Sequence, residues 1–85
     1  MEYSYSCKGT CSRSVKFQID ENHTVTNVSF YGGCSGNTQG LAKLCEGSKA
    51  EELIARLKGI RCGFKPTSCP DQLAIALQQA LDSMQ

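Results

Sequence analysis

Val15, Phe17 and Ile19 alternate with Lys16 and Gln18, the period-two pattern of a strand with one apolar face. Asp20-Glu21-Asn22-His23 follows as a turn. Val28 and Phe30 then alternate with Ser29 and Tyr31, which predicts the returning strand of a hairpin. Val25 has the other parity and marks either a bulge or the wide end of the turn. Glu2 to Ser6 reads as a short first strand. The period changes at Gly32-Gly33-Cys34-Ser35-Gly36-Asn37. A short helix is predicted from Thr38 to Glu46, with Leu41, Leu44 and Cys45 on one face and Gly47 as its stop. Ser48, with Glu51 three residues later, predicts a capping box for a second helix. That helix carries Ala50, Leu53, Ile54 and Leu57 on one side and ends at Gly59. In the last helix Leu73, Ala76, Leu77, Ala80, Leu81 and Met84 recur at three and four residues. Pro70 fits only its first turn, because proline has no backbone N–H to donate. Ser68 and Asp71 offer another capping box, so Cys69 stands at or beside the helix N-terminus.

Strands first and helices second predict an α+β fold. A small antiparallel three-stranded sheet, a hairpin plus a short N-terminal strand, packs against about three helices. The 85 residues suffice for one domain, and 40% hydrophobic content suits a modest core. The net charge of +1 predicts no strong field, which disfavours nucleic acid as a partner. Arg56, Lys58, Arg61 and Lys65 lie close together and read as a solvated helix end and loop. Met1-Glu2-Tyr3-Ser4-Tyr5 shows no basic region leading into an apolar stretch, and no run is long enough for a membrane span. The expectation is therefore a cytoplasmic protein without membrane contact.

Six cysteines then change the picture. In a reduced compartment such a count points to metal ligation, redox chemistry or inert buried thiols. Unpaired N–H groups at a helix start favour an anion, and a thiolate is both nucleophile and metal ligand, which singles out Cys69. Thr67 and Ser68 add hydroxyl donors beside it. Cys34 sits between glycines that permit close approach of a bound group. Cys11 is separated from Cys7 by three residues, a spacing that can chelate, with Cys7 the weaker member. Cys62 lies in a loop before Gly63. Cys45, on an apolar face, reads as a small buried hydrophobe. His23, the single histidine, reads as an exposed turn residue, which removes a Cys–His nucleophile pair. Gly32 to Gly40 is neither a P-loop nor a dinucleotide fingerprint.

Thr67-Ser68-Cys69-Pro70-Asp71 carries the five residues that name the TSCPD family. Gly59-Ile60-Arg61-Cys62-Gly63, Gly32-Gly33-Cys34-Ser35-Gly36-Asn37 and Cys11-Ser12-Arg13 are similar to the other family blocks. The chain resembles short stand-alone bacterial members over nearly its whole length, as a single domain over residues 1–85. Related modules occur in ribonucleotide reductases, notably cobalamin-dependent ones. Stand-alone members inherit a ribonucleoside-diphosphate reductase label from that kinship. Reduction of a ribonucleotide needs a radical cofactor, a nucleotide pocket and paired redox cysteines in a large barrel, which 85 residues cannot form. The resemblance thus implies an accessory module in deoxyribonucleotide synthesis rather than the catalytic reductase, and no catalytic residue is assigned.

The order of hairpin, Gly-Cys, helices and Cys-led last helix also looks like the U-type iron–sulfur cluster scaffolds. Their three cysteines match Cys11, Cys34 and Cys69 here, but Arg13 stands where those proteins have a carboxylate. Cys62 supplies a fourth thiol. Four thiolates would close a site for zinc or an iron–sulfur cluster, which suits structure or electron transfer better than hydrolysis. The leading expectation is metal binding through Cys11, Cys34, Cys62 and Cys69. A thiol redox carrier, a cluster scaffold and a protein-interaction module with structural zinc are the alternatives. The expected partner is ribonucleotide reductase or another larger enzyme, and the sequence leaves a homodimer open.

Overall fold

The structure, a computed structural model, describes residues 1–9, 12–32, 35–61 and 67–84. Three strands, β1 (Glu2–Ser6), β2 (Ser12–Ile19) and β3 (Val25–Gly32), form an antiparallel sheet in the order β1-β2-β3. Three helices follow: α1 (Ser35–Cys45), α2 (Ala50–Leu57) and α3 (Cys69–Ser83). This is the expected α+β fold.

Alternation along β2 buries Val15, Phe17 and Ile19, each at 1% exposure or less. They join Val25, Leu53, Leu73 and Leu77 in one core cluster. Full burial of each such side chain contributes about 1.5–3 kcal/mol. The parity break at Val25 is a bulge. Lys16 pairs with Ser29 and Gln18 with Thr26, so Phe17 stands opposite both Asn27 and Val28. Asn27 takes the left-handed conformation, φ +54°, which a short polar side chain tolerates. Its amide nitrogen Nδ2 donates to Gln18 Oε1 at 2.7 Å, and its backbone N–H donates to Glu46 Oε1 at 3.0 Å. The extra residue lets Val25 and Val28 both reach the core.

The helices depart from expectation in three places. α1 begins at Ser35, ahead of Thr38. Its inward stripe is Thr38, Leu41, Ala42 and Cys45, at helical spacing. Leu44 is out of phase with that stripe and 79% exposed. Ser48 does not cap α2; the cap position is Lys49, without a side-chain bond. The hairpin supplies the partner instead: Ala50 N–H donates to the His23 carbonyl at 2.8 Å. Val25 N–H donates to the Ser48 carbonyl and Gly47 N–H to the Val25 carbonyl, both at 2.8 Å. The His23 side chain is exposed in the hairpin turn, as expected, and its Nδ1 bonds the Glu51 carboxylate. That bond is the main reason the Glu51 carboxyl is held below its ordinary range. Among the described residues no helix is long and apolar enough to cross a membrane.

Candidate functional site

Ser68 is extended (φ −152°) and begins α3 as its cap, with Pro70 in the first turn. Its Oγ accepts from Asp71 N–H at 3.2 Å and donates to the Ile60 carbonyl at 2.6 Å. Asp71 does not return the bond of a capping box. Its carboxylate accepts from the Thr67 hydroxyl and, at 2.7 Å, from Gly59 N–H just past α2. These two donors, the hydroxyl first, hold the Asp71 carboxyl below the ordinary aspartate range against the opposing effect of desolvation, and Lys58 and Arg61 add to the lowering.

Gln72 extends the network to the segment after β1. Its Nε2 donates to Thr67 Oγ1 at 3.0 Å, and its Oε1 accepts from Lys8 N–H at 3.0 Å. Thr67, Ser68, Asp71 and Gln72 are all buried. Among the described residues no buried side-chain nitrogen or oxygen lacks a partner, as an ordered polar network in a low-dielectric site requires. The Thr67 and Ser68 hydroxyls, expected as donors beside Cys69, instead serve Asp71 and Ile60.

Cys69, the first residue of α3, is partly buried. Cys7 follows β1, is partly buried and packs against the core cluster. Its N–H donates to the Arg13 carbonyl at 2.9 Å. Burial, reinforced by the neighbouring Cys69 thiol, pushes the Cys7 thiol up to about 11. Two residues on, Gly9 has φ +76°, and a Cβ there would lie 3.0 Å from Thr67 Cγ2. The chain after β1 thus lies directly on the start of α3. Cys45 is 1% exposed, and burial pushes its thiol up to about 11. It is a core thiol, as expected.

Cys11, Cys34 and Cys62 lie outside the described residues. Their described neighbours gather at one end of the molecule. Ser12, next to Cys11, is the register partner of Gly32, two residues before Cys34. Ile60, two residues before Cys62, accepts from Ser68, next to Cys69. Gly9, two residues before Cys11, packs on Thr67. Among the described residues no group of three or more His, Cys, Asp or Glu comes together as a metal site. Sequence reasoning ranked Cys7 low and missed Gln72. The Cys7–Cys11 spacing was the only sign of the first, and nothing local signals the second.

Two surface depressions lie elsewhere. One of about 280 Å³ runs between β1 and α3, lined by Tyr3, Tyr5, Ala76 and Ser83 among others. Another of about 470 Å³ is lined by Asn27, Val28, Ala42, Lys43 and Glu46. Neither carries a cysteine.

Fold and site together define a small α+β domain whose helix-start cysteine is framed by a buried Thr–Ser–Asp–Gln network. The chain belongs to the TSCPD domain family, whose model matches residues 2–81. Membership supports a ribonucleotide-reductase-associated domain. No match was found among curated proteins or among solved structures.

Proposed function

We propose that this domain is an accessory module in deoxyribonucleotide synthesis that binds a metal or iron–sulfur centre through Cys11, Cys34, Cys62 and Cys69. Its partner is ribonucleotide reductase or another larger enzyme of that pathway. One observation carries the reading: Gly9 and Ile60, described flanks of the Cys11 and Cys62 connections, contact the start of α3 where Cys69 stands, and Gly32, flank of the Cys34 connection, pairs with Ser12 beside Cys11.

The donor chemistry fits. Thiolates favour zinc and iron–sulfur clusters over magnesium or calcium. When bound, such a centre supplies a rigid cross-link between the connections or a one-electron couple. The chain's own part is to hold the ligands. Asp71 and Ser68 fix the first turn of α3 to Gly59 and Ile60, and so fix the direction in which Cys69 leaves the helix. Gln72 fixes that turn to Lys8. Loss of a group that orients a ligand commonly costs about 10–100-fold in metal affinity.

Elemental analysis of anaerobically purified full chain tests the reading. The expected result is about one zinc or one cluster per chain, with a large loss in C69S and none in C45A. Background metal in the wild type, unchanged by reconstitution with zinc or with iron and sulfide, would overturn it.

A further inference from the structure

Cys7 belongs to none of the ligand positions assigned above, yet it occupies the same corner of the molecule as Cys69. Two contacts independent of either thiol put it there. The backbone of Lys8, the next residue, donates at 3.0 Å to Gln72, one helical turn beyond Cys69. Gly9 packs its backbone on Thr67, two residues before Cys69. Cys69 is therefore bracketed, at Thr67 and at Gln72, by contacts from the two residues that follow Cys7. The two thiols also act on one another electrostatically.

We infer that Cys7 and Cys69 form a reversible disulfide that closes the thiol site under oxidising conditions. The oxidant is a low-molecular-weight disulfide. The thiolate of one cysteine attacks a sulfur of that disulfide; its S–S bond breaks, a mixed disulfide forms and one small thiol leaves with the proton. The second cysteine loses its proton and attacks the protein sulfur of the mixed disulfide, and the second small thiol leaves. Two protein thiols are oxidised by two electrons and one small disulfide is reduced to two thiols. A Cys69 sulfur held in this bond cannot ligate a metal, so oxidation and metal loading exclude each other.

Reduced, chelator-treated full chain is incubated with oxidised glutathione, alkylated and digested with trypsin. The expected product is peptide 1–8 linked to the peptide beginning at Cys62, with fragmentation placing the bond at Cys69. The bond persists in C62S and disappears in C69S. Cys7 recovered alkylated, or joined to any cysteine but Cys69, would overturn the inference; fragmentation of the wild-type product decides this even where a variant fails to fold. Because the protein is metal-free, failure here leaves the metal reading standing, and failure of metal loading leaves the disulfide standing.

Discussion

Asp71 shows how a single side chain holds the site. A carboxylate near a helix start is favourable in any fold, but this one also ties α2 to α3 through Gly59 and orients Thr67, which in turn receives Gln72. Asn in its place keeps the shape and loses the charge. Hydrogen bonds to a charged group are worth about 1.5–3 kcal/mol, so D71N is expected to cost about 2 kcal/mol at neutral pH by urea unfolding. The sign of the pH dependence follows from the lowered carboxyl. Its contribution is fully present above the ordinary value of 3.8 and is lost as pH falls through the lower folded value. The gap between wild type and D71N should shrink as the pH drops below 3.8, and a gap that stays constant would contradict this role. Thr67, Ser68, Pro70 and Asp71 have framework duties here, and Cys69 is the residue that framework positions.

Among the elements, the sheet was the most legible part of the sequence, because alternation of Val15, Phe17 and Ile19 with polar residues maps directly onto one buried face. α3 was legible from its apolar spacing and from Ser68 and Pro70 at its start. The start of α2 was not. Ser48 and Glu51 have the residue types of a capping box, but the partner of Ala50 N–H is the carbonyl of His23 in the hairpin, a tertiary contact with no local signature. Leu44 misled in a similar way, since an apolar residue adjacent to a buried stripe looks the same in sequence whether it points in or out. The bulge in β3 offers a clean test at this scale. Asn27 needs φ +54°, which glycine adopts freely and a β-branched residue does not. N27G should melt close to the wild type. N27V should lose about 1–2 kcal/mol. Equal losses in the two variants would show that the side-chain bond to Gln18, and not the backbone conformation, carries the bulge.

At the scale of the whole molecule, the ends of β1 and β3 and the starts of β2 and α3 lie together, with the end of α2 tied to them through Gly59 and Ile60. The sequence shows that cysteines sit in the connections, but not that the flanks of those connections come together. That information resides in contacts such as Lys8 to Gln72, 64 residues apart, which depend on how the sheet docks on α3. For the same reason Cys7, judged the weaker half of a local pair, proves to neighbour a distant thiol. The central claim is that thiols from these connections share one centre. X-ray absorption at the metal edge of the zinc-loaded full chain tests it most directly. The account predicts a shell of four sulfurs at about 2.3 Å, falling to three in C69S. A shell dominated by nitrogen or oxygen, or a sulfur count unchanged by C69S, would contradict it.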